Sequence, residues 1–124
     1  MAKQFIVIGA VLGFLGVALG AFGAHGLKDK LSPDLFDVFE VGVRYHMYHA
    51  LALVAVGLVA AQWPGNLVGW SGWAFTAGVV IFSGTLYVLV MTNTRWLGAV
   101  TPIGGLAFLV GWLLLAWHVI KVKM

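Results

Sequence analysis

Four apolar stretches, each long enough to cross a lipid bilayer, leave this 124-residue chain few ways to fold. They run from Phe5 to Leu27, from about Val43 to Gln62, from Gly69 to Met91 and from Trp96 to Ile120. A helix rises ~1.5 Å per residue, so ~20 residues cross a ~30 Å hydrocarbon layer. Within that layer every backbone N–H and C=O must be bonded inside its own segment, which selects helix. Composition agrees: 62% of the residues are hydrophobic and only 9% charged, against roughly 25% charged in a soluble domain. Lipid is therefore the solvent for most of the surface. The expectation is an all-α, integral membrane protein: a four-transmembrane-helix up-down bundle in a single membrane domain over residues 1–124. Its spans are placed at about 5–27, 43–62, 69–91 and 98–120, with an amphipathic interfacial extension over about 33–45 at the start of helix 2. A cleaved leader is the competing reading of the first run, because Lys3 precedes it and Ala21 and Gly23 resemble a cleavage site. The run is longer than the usual ~7–15-residue leader core, which favours a span.

The seven cations, Lys3, Lys28, Lys30, Arg44, Arg95, Lys121 and Lys123, flank the apolar runs and form no stripe. Nucleic acid is thus not an expected partner. The partners that fit are the lipid bilayer, further copies of the chain, or other membrane proteins. Cysteine is absent, so neither disulfides nor thiolate chemistry enters. Lys28, Lys30, Arg44 and Arg95 stand on the face opposite the termini and Lys3, Lys121 and Lys123 on the terminal face, a balance that leans towards both termini outside.

In the first span Gly9, Gly13, Gly16, Gly20 and Gly23 alternate at spacings of four and three. Small residues at that period predict one seam where a neighbouring backbone approaches closely, the way helices associate in lipid. Ser32-Pro33-Asp34 reads as a cap, a first helical residue and an acid that suits the dipole. The helix it starts is amphipathic through Arg44 and runs on to Gln62 without a breaker. Its ~30 residues exceed one span, so Arg44, Tyr45, His46 and His49 enter the margin of the hydrocarbon. Trp63, Trp70, Trp73 and Trp117 mark one interface and Trp96 the other; Trp112 fits neither. At Pro102, either Thr101 caps a new helix or one helix from Trp96 kinks.

Polar residues collect at one end: His25, Glu40, Arg44, Tyr45, His46, His49, Tyr87, Thr92, Asn93, Arg95 and Thr101. On the second helix Gly42, Tyr45, His46, His49, Leu53 and Val56 share a face. Glu40 and Arg44 are spaced i, i+4 in the favourable order for an ion pair. Three readings follow. In the first, Glu40 and Arg44 neutralise each other while histidines and tyrosines hydrogen-bond across helices. In the second, the cluster is the polar mouth of a small channel or transporter. In the third, His25, His46 and His49 hold a metal or a haem, or the same residues a quinone. His118, beside Trp117 and Lys121, reads as an interfacial histidine. No motif for nucleotide binding or nucleophilic catalysis is present.

Four segments carry a resemblance. They are Gly20-Ala21-Phe22-Gly23-Ala24-His25-Gly26-Leu27, Tyr45-His46-Met47-Tyr48-His49-Ala50-Leu51, Phe82-Ser83-Gly84-Thr85-Leu86-Tyr87, and Thr101-Pro102-Ile103-Gly104-Gly105 with Gly111-Trp112. In that order they resemble the family called domain of unknown function 423, or transmembrane protein 256-like. The resemblance implies a small multi-pass protein of the bacterial plasma membrane, with relatives in mitochondrial lineages, and no particular reaction. It directs attention to His25, Tyr45, His46, His49, Pro102, Gly104 and Gly105. The leading expectation is an accessory or structural bundle that acts through helix-helix contacts, alone or within a larger complex, leaning away from an enzyme.

Overall fold

A computed structural model describes residues 1–124, in four helices each long and apolar enough to cross a membrane. These are α1 (Ala2–Leu27), α2 (Pro33–Gln62), α3 (Asn66–Thr92) and α4 (Arg95–Lys121). The connections are short, so successive helices alternate in direction. Each break has a local cause. Pro33 occupies the first turn of α2, where its missing N–H costs nothing, and the Ser32 hydroxyl accepts the Leu35 amide at 3.3 Å. Pro64 and Gly65 separate α2 from α3. Asn93 ends α3 in the left-handed region at φ 53°, a conformation its short amide side chain tolerates.

The amphipathic start of α2 and its span form one continuous 30-residue helix. The start of α4 differs from both expectations for Pro102. A 3-10 turn over Arg95–Ala99 leads into the α-helix at Thr101, and Val100 is the capping residue. Thr101 does not cap: its hydroxyl donates to the Leu97 carbonyl at 3.2 Å and pairs with that of Thr85 at 2.7 Å. Pro102 needs no kink, because it falls in the first α-helical turn, where no amide bond is lost. Two further turns widen to the π form, Gly23–Leu27 at the end of α1 and Val79–Ser83 within α3.

α2 and α3 form the inside of the bundle and α1 and α4 its flanks. The buried share of the span is 44% and 39% for the inner pair but 17% and 22% for the outer pair. Two apolar cores result. The larger joins Phe5, Leu53, Val56, Val68, Phe75 and Phe108 with their neighbours in the half nearer the termini. The smaller joins Leu27, Phe39, Leu89 and Val90 near the opposite loops.

The glycine seam of α1 forms against α2 with one exception. Gly9 faces the Ala50 carbonyl, Gly16 faces Met47 and His46, Gly20 faces Val43 and Gly23 receives the Phe39 ring. A methyl at Gly13 would meet nothing within 4 Å, so no close approach of α2 requires a glycine there. The adjacent pair on α4 divides in the same way. Gly104 meets the Phe82 backbone of α3, whereas Gly105 touches only the edge of the Phe82 ring, at 3.8 Å from where a methyl would stand, and borders an open groove.

Candidate functional site

Between the two apolar cores lies a polar layer built on α2. The expected face of that helix is present, with Gly42, His46, His49, Leu53 and Val56 all buried, but Tyr45 stands 38% exposed at its edge. His46 reaches sideways to α1. Its Nε2 lies 2.7 Å from the Leu12 carbonyl oxygen, which can only accept, so Nε2 carries the proton. Its Nδ1 lies 2.8 Å from the Tyr87 hydroxyl of α3 and takes the proton that Tyr87 donates. Gly16 makes this possible: a methyl there would stand 3.3 Å from the His46 ring, in the space through which the imidazole reaches the α1 backbone.

His49 faces the other way and holds the opposite tautomer. Its Nδ1–H donates to the Tyr45 carbonyl at 2.7 Å, and its Nε2 accepts the indole N–H of Trp112 on α4 at 3.1 Å. Its ring lies flat on Phe108, 3.6 Å between centroids with 6° between planes. Two histidines one turn apart thus tie α2 to three helices, and each is neutral with both nitrogens engaged. Ser83 adds a bond to the Gly42 carbonyl at 2.7 Å, and Ser71 one to the Gly111 carbonyl at 2.7 Å. Both bonds run from a hydroxyl to a glycine carbonyl, because the absent side chain lets a donor from the next helix in. No buried side-chain nitrogen or oxygen lacks a partner. In hydrocarbon an unpartnered polar group costs several kcal/mol.

The remaining candidates spread outward. His25 is exposed on the π turn at the end of α1 and has no part in the layer. The trio His25, His46 and His49 is therefore not assembled, and no three His, Asp or Glu side chains converge at metal-binding distance. The physical reason is that His46 and His49 point to opposite neighbours while His25 leaves the bundle. Glu40 and Arg44 are exposed and line one groove between α1 and α2, but no ion pair within 4.0 Å joins them. Both have room at the bilayer margin to remain solvated apart. His118, near the end of α4, is buried against the α2–α3 turn: its Nε2–H donates at 2.6 Å to the Trp63 carbonyl, fixing the end of α2 to α4.

Tyr45 and Tyr48 face a lateral groove of about 480 Å³ between α2 and α4. Its other walls include Phe82, Phe108, Trp112, His49 and Gly105, and neither phenol hydroxyl bonds within the protein. Sequence reasoning missed Trp112, Ser71 and the bond of His118. Trp112 did carry a signal, since an indole placed away from both interfaces needs an acceptor inside the bundle.

The chain is similar to known proteins over most of its length. The family described as Protein of unknown function (DUF423) matches residues 19–105. The UPF0382 membrane protein of Staphylococcus haemolyticus is 50% identical over 113 residues, covering 91% of this chain and 92% of that protein. The UPF0382 membrane protein YwdK of Bacillus subtilis is 46% identical over 120 residues, covering 96% of this chain and 98% of that protein. No solved structure matches the chain.

Proposed function

The chain belongs to the family described as Protein of unknown function (DUF423), whose relatives here are bacterial membrane proteins, and on that premise we propose that it is a structural or accessory bundle of the plasma membrane. In this reading it works by helix-helix contact, with further copies of itself or within a larger complex, and has both termini outside. The observation that supports it is the contrast between interior and exterior. Every buried polar side-chain atom is bonded within the chain, while α1 and α4 turn Phe14, Val17, Ile103, Leu106, Leu109 and Leu113 outward. Such faces lie against lipid or against another helix, and van der Waals packing drives association there. Purification in mild detergent, with mass measurement and crosslinking in native membranes, tests the reading. The expected result is a species larger than the monomer, or a constant partner. A monomer that crosslinks to nothing overturns it.

A second reading rests on the α2–α4 groove. Its aromatic walls and two unpartnered phenols suit a flat, membrane-dissolved ring with carbonyl acceptors, the chemistry of a quinone. Solvent extraction of gently purified protein, followed by chromatography, tests this. One quinone per chain, lost on Tyr45→Phe with Tyr48→Phe, is the supporting outcome; extracts free of quinone dispose of it.

A further inference from the structure

We infer that the recess between the start of α3 and the end of α4, on the face that holds the termini, binds the headgroup of an anionic phospholipid whose alcohol carries a free hydroxyl. The phosphate is held by open amides of α3 and by Lys121, and the hydroxyl donates to Nδ1 of His118. The recess holds about 460 Å³, with Asn66, Leu67 and Trp70 on one side and Trp117, His118 and Lys121 on the other.

One nitrogen of His118 is the starting point. The residue is only 7% exposed, and its Nε2–H is committed to the Trp63 carbonyl. Nδ1 is then a lone-pair acceptor, and no group of the protein donates to it. Every side-chain nitrogen or oxygen shut off from the surface is bonded, so this one opens onto the recess that His118 lines. Gly65 keeps it uncovered, because a methyl there would stand 3.5 Å from Nδ1. An acceptor in so buried a residue is costly to leave without a donor, and a ligand that brings one is favoured.

Charge restricts that ligand to an anion. All four acids of the protein lie between Asp29 and Glu40, at the other end of the molecule. Lys121, by contrast, lines the recess and holds its Nζ 5.3 Å from the centre of the Trp117 ring. The start of α3 adds donors. Ser32 caps α2, but the residue before α3 is Gly65, which has no side chain to cap with. The amides of Asn66 and Leu67, both on the recess wall, therefore have no acceptor in the protein. Open first-turn amides are the groups by which helix starts bind phosphate. Trp70 and Trp117 set the depth: both are mostly exposed, and indoles prefer the headgroup layer, where the phosphates of lipids lie.

Native mass spectrometry of the full chain tests the site, with phosphatidylglycerol, phosphatidylcholine and phosphatidylmethanol of equal acyl chains. Phosphatidylglycerol is expected to be retained about fivefold over phosphatidylcholine, which carries no net negative charge. It should also be retained about fivefold over phosphatidylmethanol, which keeps the charge and lacks the hydroxyl. K121Q with N66P removes the cation and one amide and should erase the first preference. Proline suits the first residue of a helix, the place of Asn66, and melting in the same detergent verifies that the fold is kept. K28Q with K30Q, at the opposite end, should leave both preferences intact. Equal retention of all three lipids, or a preference over phosphatidylcholine that survives K121Q with N66P, overturns the site. Equal retention of phosphatidylglycerol and phosphatidylmethanol overturns the role of His118, and this comparison needs no variant. Displacement of the bound lipid by millimolar glycerol phosphate overturns a lipid as the source of the headgroup.

Discussion

The α1–α2 and α3–α4 seams use the same small residues in opposite ways. Along α1–α2 the backbones themselves touch: a methyl at Gly9 would come within 2.7 Å of the Ala50 carbonyl, and one at Gly57 within 2.8 Å of that of Ala2. Along α3–α4 the glycines are mostly sockets for rings, with Phe108 seated at Gly78 and Phe75 at Gly111, and backbone meets backbone at Gly104 and Phe82. Hydroxyl bonds reinforce the second seam, from Ser71 to Gly111 and between Thr85 and Thr101. The first seam has no hydroxyl bond; its one polar tie is the imidazole of His46 on Leu12. The difference shows how helices select partners where lipid is as apolar as any side chain. Close backbone approach fixes which faces meet, and rings or polar ties fix their depth relative to each other.

Substitutions can break this comparison at graded strength. The largest effect is expected from Gly104→Leu, because the added side chain meets the Phe82 backbone, which cannot move aside. The loss should be about 3 kcal/mol or more in an SDS unfolding titration, with α4 released first. Next, His46→Ala removes two interhelical bonds and leaves a void, for about 2 kcal/mol. Hydrogen exchange should then rise in α1 and leave α4 protected, whereas His49→Ala should do the reverse; the same pattern from both would mean that the two histidines do not tie α2 separately to α1 and α4. Trp112→Phe keeps the ring and deletes one bond, so about 0.6 kcal/mol is expected from thermal melting. The smallest effect belongs to Gly13→Ala, expected within about 0.5 kcal/mol of wild type, because nothing lies near that position. Gly9→Ala, one turn away, should cost clearly more. Equal costs at Gly9 and Gly13 would show that the seam does not follow the contacts described.

The polar cluster was legible in kind but not in connection. Gathering His46, His49 and Tyr87 at one level needed only helix rise and loop position, and His46 does meet Tyr87. That His46 turns to α1 and His49 to α4 was hidden, since residues three apart on one helix share a face and their side chains can still diverge. Glu40 and Arg44 mislead for a related reason: i, i+4 spacing permits an ion pair, and exposure at the bilayer margin removes the need for one. The bonds of Ser71 and Ser83 end on glycine carbonyls, and a backbone acceptor leaves no mark in a sequence beyond the glycine itself.

By itself the sequence determined that the chain is helical, that it spans a membrane four times, and where each helix turns back, because length, apolarity and breakers such as Pro33, Pro64 and Asn93 act along the chain. It also placed His46 and His49 at one level of the bundle, with their bonding partners left open. Tertiary structure alone decided which glycines are contacts, which imidazole takes which tautomer, and that one nitrogen of His118 stays unbonded beside Gly65. Those outcomes depend on what the adjacent helix places opposite a residue, and that pairing is set in space, by notches and rings that fit only one neighbour.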